Sequence, residues 1–167
     1  MAKITALIHT RNDEQRIGRA IESLRACDEV LVIDHGSTDR TAKVAGHHGA
    51  TVKQGVPGVN PGVYAIDARH DWIFCLLPTE AVSEALEASL FEWKDRQDEE
   101  SHPAGRDKHA ATASAFSVSV RQETAAGWKD LPPETRLVNR KEVNGHLPAN
   151  DPASELLIGD LLRFANP

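Results

Sequence analysis

The sequence is short of several features that mark large functional classes. Its longest strongly apolar run is the six residues from Trp72 to Leu77, against the roughly 20 that a membrane-spanning helix needs, so no transmembrane segment is expected. The opening MAKITALIHTRNDEQ lacks both a long apolar core and a small-residue cleavage site, which argues against a secretory signal. Positive charge is not in excess. Lys and Arg number 19 against 25 Asp and Glu, giving a formal net charge of -6 and a pI of about 5.7. A nucleic-acid binder would normally show a basic face, so no nucleic-acid partner is expected. Cysteine is scarce: Cys27 and Cys75 lie far apart and form no CxxC. They read as reduced, half-buried core thiols of a cytoplasmic protein. Glycine is missing where a dinucleotide fold needs it. After the first strand candidate the chain reads HTRNDEQRIG, with no glycine before Gly18, so NAD binding is not expected.

What is present is an ordinary globular composition, 167 residues with 40% hydrophobic and 26% charged, enough for one domain with its own core. The first half alternates regularly. KITALIHT (3–10) reads as a strand and 13–26 as an amphipathic helix carrying Ile17, Ala20, Ile21 and Leu24 at helical spacing. EVLVID (29–34) is a second strand, 39–48 a helix stopped by Gly49, and ATVK (50–53) a third strand. GVPGVNPG (55–62) is a loop, 63–70 a short helix, 72–77 a buried strand, and 80–93 a helix. This order, βαβαβ(α)βα, predicts an α/β fold with a mostly parallel, doubly wound, Rossmann-like sheet.

The composition then shifts. KDRQDEESHPAGRDKH (94–109) reads as a solvated polar connection. Beyond it, 111–123 and 135–140 read as strands, 141–148 as a turn and short strand, and 155–164 as an apolar segment returning to the body. The expected organisation is one domain over 1–167, with a first half at 1–97, a polar linker at 98–110 and a second half at 111–167.

In an open α/β sheet, ligands sit at the carboxyl ends of the strands. The first two strands end in His9-Thr10-Arg11-Asn12-Asp13 and Asp34-His35-Gly36-Ser37-Thr38-Asp39. Asp34 has the chemistry to accept a hydrogen bond from a base N–H, Gly36 permits close backbone approach, and Thr10 can hold a base or ribose. The alternative is that Asp34 and Asp39 are turn and capping acids, and spacing does not separate the two. His9, His35 and Glu80 are weighed as a transition-metal set, against two histidines bonded to backbone at a sheet edge. His47 and His48 fit a helix end.

Three stretches together carry a family pattern: ITALIHTRNDEQRIGRAIESL, DEVLVIDHGSTDRTAKVAGHHGATV and DWIFCLLPTEAVSEAL. They resemble the inverting family-2 glycosyltransferases, most closely bacterial members that build lipopolysaccharide core and related glycans. GWKDLPPETRLVNRKEVNG (127–145) is similar to the acceptor-side segment of these enzymes. The resemblance implies a GT-A fold that binds a nucleotide-diphospho-sugar, usually of the UDP type. It implies nucleotide-binding roles for Thr10, Asn12, Asp13, Asp34, Ser37 and Asp39.

It also implies a divalent metal, Mg or Mn, held by an Asp-x-Asp motif at the end of the fourth strand. Matching Trp72-Ile73 to the family's Trp-Ile puts that motif on Leu77-Pro78-Thr79, where both aspartates are gone and only Glu80 follows. The family's Gly-x-Leu/Val-His-Glu falls on Gly145-His146-Leu147-Pro148-Ala149, without its His and Glu. No Lys or Arg stands between Lys53 and Arg69, where a basic residue normally nears the diphosphate. No metal ligand is therefore assigned. Glu80 is the remaining catalytic candidate, either as a general base or simply as an acid in the first turn of a helix. Glu134 and Asp151 are weaker candidates for the base, and Arg136 and Arg140 are candidates to meet a phosphate. Three readings follow: a nucleotide-sugar-binding pseudoenzyme with degraded metal-dependent transfer, an active metal-independent glycosyltransferase, and a non-catalytic scaffold for which a homodimer is one form.

Overall fold

A computed structural model describes residues 1–101, 113–143, 150–151 and 154–165. The first half holds strands β1 (Ile4–Thr10), β2 (Glu29–Asp34) and β3 (Thr51–Gln54), with helices α1 (Ile17–Glu22) and α2 (Thr41–His47) between them. A 3-10 segment, Pro61–Asp67, leads into β4 (Trp72–Leu76). The second half adds β5 (Glu80–Val82), α3 (Glu84–Ser101), β6 (Ala115–Thr124), β7 (Gly127–Asn139), α4 (Arg140–Val143) and β8 (Glu155–Arg163). The strands form one sheet in the order β3-β2-β1-β4-β7-β6-β8-β5. β3, β2, β1 and β4 are parallel; β7 is antiparallel to β4.

Strand alternation sorts the core into two layers. Ile4, Ala6, Ile8, Val32, Phe74 and Leu76 point to one face, where Ile17, Ala20, Leu24, Leu86, Leu90 and Trp93 of the helices cover them. Leu7, Leu31, Ile33 and Ile73 point to the other, under Tyr64, Ala65 and Ala68 of the 3-10 segment. The chain moves outward from β1 to β3, then returns to place β4 on the far side of β1. That reversal makes a switch point between β1 and β4, where an α/β sheet opens a crevice at its carboxyl edge. No helix among the described residues is long and apolar enough to cross a membrane.

The parallel half follows the sequence expectation closely, apart from a shorter α1. The second half departs from it in three places. Residues 80–82 are a strand, because they pair with Leu161–Arg163 of β8, far along the chain. α3 begins only after Ser83, whose Oγ accepts from Leu86 N at 3.2 Å as an N-cap does. Nor is the polar stretch 94–101 a loop. It continues α3, and Lys94 is buried there, donating to Asp28 at 2.8 Å and to the Ala26 carbonyl at 3.1 Å.

The third departure is β7, which starts at Gly127 rather than 135. Pro132 and Pro133 argue against a strand because proline cannot donate to a ladder. They fit here because three steps on β7, Leu131 to Glu134, face two on β6, Val120 to Val118. This bulge leaves residues out of the ladder. β8 also explains a glycine: Gly159 has φ +103°, and a Cβ there would lie 2.3 Å from the Leu86 backbone nitrogen. Residues 140–143 are α4, taking the last residue of the expected strand 135–140 and the start of the segment 141–148, and the Gly145–Ala149 motif lies outside the described residues.

Candidate functional site

The β1–β2 register sets Thr10 beside Asp34 at the carboxyl edge, and two adjacent hydrogen-bonded groups hold the six sequence-predicted residues. Thr10 Oγ1 donates to Asp13 Oδ2 at 2.6 Å, and Asp13 N donates to Thr41 Oγ1 at 2.8 Å. Thr41 N and Oγ1 in turn donate to Asp39 Oδ1 at 2.9 and 2.5 Å. The Thr41 hydroxyl is the main cause holding the Asp39 carboxyl below its usual range; burial opposes it, and backbone N–H groups of Thr41 and Glu14 add to it. Asn12 crosses between the two tips: its N–H donates to Ser37 Oγ at 2.9 Å and its Oδ1 accepts from Thr38 N at 2.8 Å. Asn12 adopts φ +55°, a left-handed conformation that asparagine tolerates better than most residues, and these bonds hold it there.

Asp34 differs from the other two acids. It is 3% exposed, and its Oδ1 accepts from Ser37 N at 2.9 Å and Ser37 Oγ at 2.6 Å. No donor among the described residues reaches its Oδ2. Asp39, by contrast, uses Oδ1 on Thr41 and Oδ2 on Glu14 N at 3.3 Å. Asp13 uses Oδ2 on Thr10 and Arg11 N and Oδ1 on the Arg16 guanidinium. Asp39 is thus the capping acid that sequence alone allowed, while Asp34 is a turn acid with one oxygen to spare.

On the opposite face of the same tips, His9 Nδ1 and His35 Nε2 share a hydrogen bond at 2.8 Å. Their rings stack at 5.1 Å, and Tyr64 closes on both edge-to-face. His35 lies against Gly55, where a Cβ would sit 2.4 Å from its Nδ1. Burial is the main cause pushing His9 down to about 4, with neighbouring His35 acting the same way and the Pro61 backbone opposing weakly. The two histidines therefore bond each other, beside the Pro61 backbone that also acts on His9. Glu80 is not with them, and no cluster of three His, Cys, Asp or Glu suited to a metal occurs among the described residues. His47 and His48 do end α2, and His48 also reaches Glu22 of α1 at 3.3 Å.

The end of β4 is built of different material. Leu77 is 44% exposed. Glu80, two residues past the buried Pro78, is 0% exposed and carries five hydrogen bonds. Its Oε2 accepts from Arg136 Nη1 at 2.8 Å and Leu77 N at 3.0 Å. Its Oε1 accepts from Arg136 Nη2 at 2.8 Å and from Arg163 Nη2 and Nε at 2.8 and 3.0 Å. A carboxylate offers about four lone-pair directions, so this one is saturated. Glu134 completes the group, contacting Arg163 at 3.1 Å and also Arg136. Burial raises the Glu134 carboxyl, but the two guanidinium groups outweigh it and hold the carboxyl below its usual range. Burial likewise lowers Arg136, and Glu80 with Glu134 more than offsets it.

Glu80 is therefore not a first-turn helix acid but the centre of a buried quartet tying β5, β7 and β8 to the β4 tip. Arg136 and Arg163 escaped the sequence reading as its partners because the pairings span 56 and 83 residues. Arg140 is engaged elsewhere, with Asp71 at 3.0 Å and the Ala68 carbonyl at 2.7 Å. Asp151 lies apart from the quartet, lining a cavity of about 340 Å³ with Ser117, Pro133 and Ser154. Burial pushes both thiols, Cys27 and Cys75, up to about 12, as inert core cysteines require.

Known proteins match this arrangement in sequence and shape. The family described as glycosyl transferase family 2 matches residues 5–55. An uncharacterized glycosyltransferase of Rickettsia typhi is 37% identical over 94 residues, 54% of this chain and 32% of that protein. The 4,4'-diaponeurosporenoate glycosyltransferase of Staphylococcus aureus is 44% identical over 52 residues, 29% of this chain and 14% of that protein. The matched stretch thus spans about a third or less of these relatives' length. Among solved structures, S. aureus TarS superposes with a TM-score of 0.59 at 14% identity, covering 98% of this chain and 35% of that one. Mannosyl-3-phosphoglycerate synthase from Rubrobacter xylanophilus gives 0.53 at 19% identity, covering 74% and 42%. The fold is the GT-A-like α/β fold of these proteins.

Proposed function

Because this chain resembles the family-2 glycosyltransferases in sequence and in its GT-A-like fold, we propose that it binds a nucleotide or UDP-type nucleotide sugar and that its metal-dependent transfer is degraded. The observation that carries this reading is the unequal partnering of two buried acids. Asp34 keeps Oδ2 free of protein donors at the mouth of the crevice, whereas Glu80 has no lone-pair direction left. Asp34 accepts a base N–H in this reading. Thr10, Asn12, Asp13, Ser37 and Asp39 hold the two tips in the shape that receives it. Residues 1–97 then form the nucleotide half and 111–167 the acceptor side.

Transfer from a nucleotide sugar builds negative charge on the departing diphosphate, and a divalent cation would supply the balancing charge there. Hard cations take oxygen ligands, carboxylates above all. Leu77 and Thr79 offer a hydrocarbon and a neutral hydroxyl, and Glu80 is already neutralised by two arginines. The residues present do not fit such an ion. A saturated, fully buried Glu80 is also poorly placed to take a proton from an acceptor hydroxyl, which must come within about 3 Å of its base.

Calorimetric titration of UDP and UDP-glucose, with and without manganese, tests the reading. The expected result is binding that manganese does not strengthen and that Asp34→Ala abolishes. Manganese-enhanced binding with sugar turnover would overturn the degraded site. Absence of all nucleotide binding would leave the scaffold reading in its place.

A further inference from the structure

The β6–β7 hairpin carries an exposed indole at its tip. Trp128 follows the turn at Gly127 and is 42% exposed, whereas Trp93 is buried in the core and Trp72 packs against it. Phe164 meets the Trp128 ring edge-to-face, with centroids 5.5 Å apart at 78°. Phe164 is itself fixed on two sides. Its N–H donates to the Thr79 carbonyl at 2.9 Å, and the Arg19 guanidinium carbon lies 3.7 Å from its ring centroid. Thr79 lies in the segment that leads from the β4 tip into β5, so the aromatic pair is tied to that tip through this bond.

We infer that Trp128, buttressed by Phe164, offers a stacking face for a pyranose ring of a saccharide acceptor. The inference rests on the nucleotide-sugar reading above and adds the acceptor's chemical class. An aromatic face carries the negative lobe of its quadrupole, and the axial C–H groups on one face of a pyranose present weakly positive hydrogens to it. A rigid, water-exposed ring suits this contact because little freedom is lost on binding. The sugar's outward hydroxyls need polar partners, and the hairpin supplies them. Glu123 stands directly across from Trp128, and the Arg121–Asp130 pair, 3.1 Å apart, comes next along the same face. That mixture of signs argues against the main competing occupant, a lipid surface. An anionic membrane calls for clustered Lys and Arg, and this face is balanced on a chain of net charge -6.

Intrinsic fluorescence and calorimetry on the whole chain test the platform, with cellotetraose, chitotetraose and maltotetraose as probes and phosphatidylethanolamine–phosphatidylglycerol vesicles as the competing surface. At least one saccharide is expected to shift the emission saturably. Trp128→Ala should weaken binding about tenfold or more and Trp128→Tyr only a few-fold, since both aromatic rings stack, with thermal midpoints lowered by no more than about 4 °C from the lost Phe164 contact. No saturable change with any saccharide would overturn the inference. So would affinity unaltered in Trp128→Ala, or Trp128-dependent vesicle binding without saccharide binding. UDP titrated into the same samples separates the two ideas. Saccharide binding without UDP binding removes the nucleotide reading alone, and UDP binding without saccharide binding removes the platform alone.

Discussion

The two ends of the crevice solve opposite problems with similar residues. At the β1–β2 tips, three acids and their hydroxyl and amide donors bond to one another and leave one oxygen of Asp34 without a donor among the described residues. At the β4 tip, two acids and two arginines close on each other and leave Glu80 nothing to offer. A carboxylate oxygen without a protein donor keeps its lone pairs available for a further hydrogen bond. A buried charge that is fully paired serves the fold, whatever its neighbours once did.

The contrast predicts unequal responses to mutation. Glu80→Ala leaves two arginines, one of them buried, with Glu134 as their one remaining acid, and should cost about 3 kcal/mol in urea denaturation; a loss below about 1 kcal/mol would show that the quartet is not structural. Asp34→Ala removes the Ser37 bonds, a stability loss of about 1 kcal/mol. It should nevertheless lower nucleotide affinity at least about tenfold by calorimetry, so the two acids separate by which measurement they move.

The His9–His35 pair gives the next effect. Burial holds His9 near 4 in the fold, against about 6.5 unfolded, so below 6.5 the unfolded chain binds the extra proton. Stability is full above about 6.5 and falls as pH drops toward 4. The expected loss is about 1–2 kcal/mol after allowing for solvent screening of a partly open pair. His9→Gln should flatten this part of the pH profile of thermal midpoints. The smallest effect belongs to Leu77→Asp. The side chain is exposed, so denaturation should shift by no more than about 0.5 kcal/mol, the reverse of Glu80 three residues on.

Much of the first half was legible because its structure is local. Alternating strands, helical spacing and tip residues sit within short windows, and parallel neighbours put Thr10 beside Asp34 once the strands are recognised. The chain beyond β4 was not, because its elements are decided by distant partners. Glu80-Ala81-Val82 carries helix-compatible residues and becomes a strand only when β8 arrives from residues 161–163. Pro132-Pro133 reads as a loop until a bulge excuses it from the ladder. The acidic and basic run after Trp93 reads as a wet connection until Asp28 takes Lys94 into the body.

By itself, the sequence determined the parallel half of the sheet, the identity of the residues at its carboxyl edge, and the absence of the aspartates expected after β4. Those are matters of local pattern and of which side chains are present. Only the tertiary structure decided which acids are spent. Whether a carboxylate is capped, paired or free depends on donors brought from 56 or 83 residues away, and hydrogen-bond capacity is counted in space rather than along the chain.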